Sequence, residues 1–143
     1  MNQVVAKIRK RQGSEVWVAL TEYGGIQRLD IREYFHPDGQ PESRPTQKGI
    51  SVPVDRLDDL KGAVEALIQV EGEEGTVATL ARSASLEIRV GIRTYLGRKY
   101  ADVRTYIKGD GEQEWRPTKK GFTLNPTLLP ELLRGLETAA DLL

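Results

Sequence analysis

The chain states one pattern twice, at a fixed offset of 72 residues. Asp30-Ile31-Arg32-Glu33-Tyr34 returns as Asp102-Val103-Arg104-Thr105-Tyr106, and Arg44-Pro45-Thr46-Gln47-Lys48-Gly49 returns as Arg116-Pro117-Thr118-Lys119-Lys120-Gly121. Tyr23 falls on Tyr95, Gly25 on Gly97, Asp38-Gly39 on Asp110-Gly111, and Leu57 and Leu60 on Leu129 and Leu132, with no gap between them. An internal repeat constrains architecture before any other argument does. It divides the 143 residues into units 1–71 and 72–143. A unit of that size buries little core alone and is marginal unless it pairs. The link Glu71-Gly72-Glu73-Glu74-Gly75 is too short to let the units wander, so an intrachain pseudo-dimer is expected.

Each unit reads as strands followed by one helix, an α+β arrangement. Val4 to Arg9 and Thr76 to Ala81 are candidate leading strands. Glu15 to Leu20 and Glu87 to Ile92 are rich in branched residues and alternate as a half-buried strand does. Hairpin turns follow at Tyr23-Gly24-Gly25 and Tyr95-Leu96-Gly97, then second strands over Leu29 to Phe35 and Ala101 to Ile107. There Leu29 and Ile31 point one way, and Asp30, Arg32 and Tyr34 the other. After the Asp-Gly turns, Pro41 to Gln47 and Gln113 to Lys119 read as irregular or edge strand, because proline cannot donate to an inner ladder. Gly49 to Val52 and Gly121 to Leu124 make a short last strand. Asn125 is a good N-cap and Pro126 a good first helical residue, ahead of leucines and alanines at helical spacing. Leu128 and Leu133 widen that stripe, which predicts a helix packed between its own sheet and the other helix, with Gly62 and Gly135 permitting close helix contact.

Composition excludes much. With no cysteine there is neither a disulfide nor a thiolate metal site. No stretch approaches the ~18 apolar residues of a membrane helix, so a soluble cytoplasmic protein with no membrane partner is expected, at the nucleoid in a bacterium or in the nucleus of a eukaryote. Net charge is zero, but its distribution is uneven. Arg82 to Lys120 holds ten Lys/Arg against five Asp/Glu, while acids gather in the helical segments at Asp55, Asp58, Asp59, Glu65, Glu71, Glu131, Glu137 and Asp141. The pattern reads either as ordinary solvated surface or as a basic sheet face with an acidic helical back.

Enzymatic readings fare badly. His36 is the lone histidine, and its repeat partner is Lys108. Neither the usual triads nor the usual metal sets can be assembled, so no catalytic residue, cofactor or metal is expected. Asp30 and Asp102 each stand two residues before an arginine on one strand face, where an ion pair is the simpler use. What remains is a set of cations interleaved with aromatics. Strand aromatics stack on unpaired bases while nearby cations hold phosphates, a combination that favours single strands. Trp17, Tyr34 and Tyr106 read equally as core. Lys7 to Arg11 reads as a strand end with solvated charges, or as a basic arm.

The string Asp30-Ile31-Arg32-Glu33-Tyr34-Phe35, then Arg44-Pro45, then Lys48-Gly49-Ile50-Ser51, resembles the C-terminal domain of positive cofactor four, a transcriptional coactivator domain that binds single-stranded DNA. Asp102 to Tyr106 with Lys119-Lys120-Gly121 and Asn125-Pro126 resembles it again, so the chain looks like two tandem copies. The resemblance implies a curved antiparallel sheet of about four strands and one helix per repeat, paired as a dimer. It places stacking aromatics at Tyr23, Tyr95 and Phe35, where the second repeat has Ile107, and leaves Trp115 to replace that missing ring. It places phosphate contacts at Arg44, Lys48, Arg116, Lys119 and Lys120; Arg32, Arg93, Lys99 and Arg104 complete the candidate set. Gly24 and Ile26 stand where the family tends to carry lysines. The expected function is sequence-tolerant binding of single-stranded DNA, or RNA, in transcription regulation. The alternative is a module that docks to the transcription machinery with weak or lost DNA binding. Leu128, Leu133, Leu142 and Leu143 leave room for a further chain-to-chain contact.

Overall fold

A computed structural model describes residues 2–11 and 13–143; Met1 and Gln12 lie outside the described residues. The first repeat runs β1 (Gln3–Arg11), β2 (Ser14–Tyr23), β3 (Ile26–Phe35), β4 (Arg44–Pro53), a 3-10 turn (Val54–Arg56) and α1 (Leu57–Gln69). The second runs β5 (Gly75–Ser83), β6 (Leu86–Tyr95), β7 (Arg98–Ile107), β8 (Arg116–Leu124), a 3-10 turn (Pro126–Leu128) and α2 (Leu129–Asp141). Each repeat is a four-stranded antiparallel meander closed by a helix, in strand order β1-β2-β3-β4 and β5-β6-β7-β8. The leading strands are longer than their apolar stretches suggest, because ladder pairing runs from Gln3 to Arg11 in β1 and from Gly75 to Ser83 in β5.

The strand after the Asp-Gly turn also differs from its sequence reading. From Arg44 and from Arg116 the proline stretch and the short last strand form one element, while 41–43 and 113–115 stay outside it. The element is bent by a shift in register between Arg32 and Tyr34 and again between Arg104 and Tyr106. One threonine side chain fixes each bend. Thr46 Oγ1 donates to the Glu33 carbonyl and accepts from the Lys48 N–H, and Thr118 Oγ1 does the same with Thr105 and Lys120. The glycine after each lysine is required there. A Cβ on Gly49 would lie 2.7 Å from the Ile31 carbonyl oxygen and one on Gly121 2.6 Å from that of Val103. The twice-kept Pro-Thr-x-Lys-Gly is thus a bulge motif.

Both repeats feed one hydrophobic core. The inner sheet faces supply Val16, Val18, Leu29, Ile31, Val90, Ile92 and Val103, and the helices supply Leu60, Val64, Leu132 and Leu136. The helices pack on each other, and then cross over: α1 covers β5 and β6, and α2 covers β1 and β2. The expectation that a helix covers its own sheet is therefore corrected. Alternating patterns in the two sheets accept either helix, and the short link leaves exchange open. Gly135 serves this crossing rather than a helix–helix contact. A Cβ at that position would lie 3.0 Å from Ala6 Cβ and 3.3 Å from Val18 Cγ2 of the first sheet, whereas one on Gly62 meets nothing. Asn125 caps as expected, its Oδ1 accepting from the Thr127 N–H at 3.0 Å, although a 3-10 turn intervenes before α2. Leu128 and Leu133 pack against the core, while Leu142 and Leu143 stay exposed. No helix of the described residues is long and apolar enough to cross a membrane.

Candidate nucleic-acid interface

The outer face of each sheet begins with the Asp-x-Arg pair. Arg32 is held by Asp30 at 3.0 Å and donates from Nη1 to the Thr46 carbonyl; Arg104 is held by Asp102 at 2.9 Å and donates to the Thr118 carbonyl. Both guanidinium groups thus brace the bulge strand, and what they offer a ligand is their remaining edge. Beside them the repeats diverge. In the first, Trp17 stacks on Tyr34 with ring centroids 3.8 Å apart, and Lys7 covers the indole at 4.2 Å. In the second, Arg89 replaces Trp17 and lies 4.4 Å over Tyr106, with Trp115 6.0 Å from Arg89 and 5.1 Å from Lys108. These rings are partners of the protein's own groups, part-buried on the outer face rather than in the core. Burial and the Asp30 charge raise the Tyr34 hydroxyl above its ordinary range.

Three further aromatics are exposed, whereas Phe122 is buried in the core and Tyr100 is part-buried. Tyr23 and Tyr95 end β2 and β6 at the hairpin turns and are 84% and 69% exposed; Phe35 ends β3 and is 51% exposed. Tyr23 and Phe35 stand at opposite ends of the first sheet, roughly 30 Å apart along β3. Alternation places Tyr23 on the outer face and Phe35 on the inner one, beyond the edge of the core.

The cations gather where β4 meets β8. One cleft of about 340 Å³ is lined by Arg28, Arg32 and Gln47 of the first repeat and Arg82, Thr105 and Lys120 of the second. Its pseudo-symmetric counterpart, of about 600 Å³, is lined by Lys10, Glu33 and Lys48 of the first repeat and Arg104, Lys119 and Thr123 of the second. A neighbouring groove carries Lys48 on to Phe35, Arg11 and His36. The structure therefore brings together Arg32 with Lys120, and Lys48 with Arg104 and Lys119 in one cleft and with Phe35 in the groove beside it. It does not bring the hairpin residues into these clefts. Arg93 donates to Thr76 Oγ1 at 2.7 Å, and Lys99 stands exposed opposite Thr94, whose N–H bonds to Glu74. Arg44 is exposed opposite Phe35, and Arg116 is paired with Glu112 at 3.0 Å.

Three cleft residues escape the sequence reading as sites. Arg28 matches Tyr100 at the repeat offset, so the comparison conceals it. Arg82 matches Lys10, and that double basic position was the available signal. Lys10 is not part of a basic arm. It donates to Glu33 at 3.1 Å and, across the repeats, to Thr123 Oγ1 at 3.0 Å. Burial lowers the Lys10 ammonium further than its bond to Glu33 raises it. Burial would raise the Glu33 carboxyl, but hydrogen bonds from Ser14 and Lys10 and the Lys10 and Lys48 charges outweigh it and hold the group below the usual carboxylate range. The helical acids Asp58, Asp59, Glu65, Glu131, Glu137 and Asp141 are all exposed, on elements that cover the inner sheet faces.

Residues 10–63 and 83–135 match the model of the family described as Transcriptional Coactivator p15 (PC4). No curated protein gives a significant match. Among solved structures, the chain is similar to a PC4 homolog from Burkholderia pseudomallei K96243. Its tetragonal crystal form is 34% identical with a TM-score of 0.43, over 48% of this chain and 98% of that one. Its orthorhombic form is 36% identical with a TM-score of 0.42, over 48% and 90%.

Proposed function

Because the chain belongs to the Transcriptional Coactivator p15 (PC4) family, a family of DNA-binding coactivators rather than of enzymes, we propose that it binds single-stranded DNA across the seam of its two repeats. The observation that carries this reading is the pair of basic clefts at the seam, each built from cations of both repeats and one continuing to the exposed Phe35. Lys48, Lys119 and Lys120 hold phosphates there. Tyr23, Phe35 and Tyr95 offer ring faces on which unpaired bases stack without being told apart. A duplex hides those base faces, so a single strand is preferred, and single-stranded RNA presents the same chemistry. The acidic helices repel the strand from the opposite side and leave that side for proteins of the transcription machinery. Residues 1–71 and 72–143 act as the two halves of this pseudo-dimer.

Fluorescence anisotropy with a labelled oligo-dT, compared with a duplex of equal length, tests the proposal. Binding with Kd below ~10 μM at low salt, weaker for duplex and falling steeply with added salt, is expected, because phosphate contacts release counterions. No binding to the single strand in that range overturns it.

A further inference from the structure

The two seam clefts are related by the repeat but differ in charge. In the larger one, Glu33 lies beside the cations. It accepts from Lys10 at 3.1 Å and from Ser14 at 2.8 Å, and Arg11 approaches it at 3.8 Å. The cleft thus carries its own anion where a phosphate would otherwise sit. At the same offset the smaller cleft has Thr105 for Glu33, Leu86 for Ser14 and Arg82 for Lys10. Arg28, where the other repeat has Tyr100, adds a second guanidinium.

Arg28 and Arg82 come from different repeats and converge on one residue. Arg28 donates from Nε to Ser51 Oγ at 2.8 Å and from Nη2 to the Ser51 carbonyl at 2.9 Å; Arg82 Nη1 reaches the same carbonyl at 3.4 Å. Among the described residues neither arginine makes an ion pair, and Arg28 Nη1 and Arg82 Nε and Nη2 have no protein acceptor. Burial disfavours the Arg82 cation, and the Arg28 and Arg56 charges disfavour it further, with Asp55 opposing. Like charges drawn together and part-withdrawn from water attract an anion, and two planar guanidinium forks suit the oxygens of a phosphate.

We propose that the clefts are unequal. The Arg28–Arg82–Lys120 cleft is the primary phosphate seat, and a nucleic-acid strand engages the chain there in preference to the pseudo-equivalent cleft that Glu33 has already neutralised. The inference rests on the nucleic-acid reading above, but its test is separate. Thr105→Glu installs the carboxylate of one cleft in the other, beside Arg82, in an arrangement the fold already accommodates at Glu33. With labelled oligo-dT at low salt, T105E is expected to lose about tenfold in affinity while its melting temperature stays near that of the parent. Arg82→Gln and Arg28→Gln each lose several-fold, and each reduces the salt slope by about one. Titration with a short oligo-dT gives one tight strand per chain. Should oligo-dT bind while T105E, R82Q and R28Q all stay within twofold of the parent, or should two equal sites titrate, the inequality is overturned and nucleic-acid binding stands. Should the parent chain bind no oligo-dT, the underlying reading falls and this inference with it.

Discussion

The outer faces of the two sheets solve one problem with different chemistry. In both repeats a tyrosine follows the Asp-x-Arg pair and presents its ring to the neighbouring strand. The first repeat covers Tyr34 with Trp17, ring on ring at 3.8 Å. The second covers Tyr106 with the Arg89 guanidinium at 4.4 Å, and Glu87 holds that arginine at 2.7 Å. A flat group over the tyrosine is kept; whether it is apolar or cationic is not. Beneath these faces the bracing is unchanged, with Arg32 and Arg104 making the same bonds to carboxylate and bulge carbonyl. A homodimer would carry two equal faces. Joining the repeats in one chain let the frame stay fixed while cleft and face charges drifted apart.

If the repeats are one folding unit, damage to either helix must unfold both. Leu132→Ala empties a fully buried position in the shared core and is expected to cost about 3 kcal/mol, with one cooperative transition in thermal unfolding. Two separated transitions would break the picture of a single core. Gly135→Val probes the helix exchange, because its side chain would press on Ala6 and Val18 of the other repeat. A loss of about 2 kcal/mol in denaturant unfolding is expected, whereas Gly62→Ala, which meets nothing on the exposed side of α1, gains up to about 1 kcal/mol.

Acid should expose the inequality of the clefts. Glu33 is held below its ordinary value of 4.5 in the folded protein, so its contribution is fully present above that pH. It is lost as pH falls through the folded-state value. Glu33→Gln removes this share of the acid sensitivity and is checked by melting temperature against pH from 6 downward, a range set by the ~4.3 pKa of a free carboxyl. Thr105→Ala, at the equivalent position, leaves the acid profile unchanged. The smallest effect lies at the hairpin tips. The first repeat turns on Gly24-Gly25, while the second places Leu96 at φ 50, exposed and in the left-handed region. Leu96→Gly should stabilise by roughly 0.5–1 kcal/mol, read as a small rise in melting temperature.

Much of the frame was legible in the residues. The constant offset revealed two units, the alternation at Leu29 to Tyr34 assigned the faces, and Asn125-Pro126 marked the start of the last helix. The helix crossing was not legible. Leu60 and Leu132 answer the same pattern, so nothing local says which sheet each one covers. The bulge was hidden for another reason. Thr46 and Thr118 look like ordinary turn residues until their bonds to backbone on the neighbouring strand are seen. At the candidate site, Lys48, Lys119 and Lys120 were visible as a repeated basic step, while Tyr23, Phe35 and Tyr95 were singled out by the family resemblance and their exposure only by the structure. Arg28 and Arg82 were not, because they lie 54 positions apart and meet only through Ser51 after the repeats pair.

Photocrosslinking with an oligonucleotide carrying 5-bromouracil in place of thymine tests the central claim most directly, since it reports which side chains touch the bases. The account predicts crosslinked peptides from both repeats, containing Phe35 to Lys48 on one side and Arg116 to Gly121 on the other, with crosslinking lost in high salt. Crosslinks confined to the helices α1 and α2, or to one repeat alone, would contradict it.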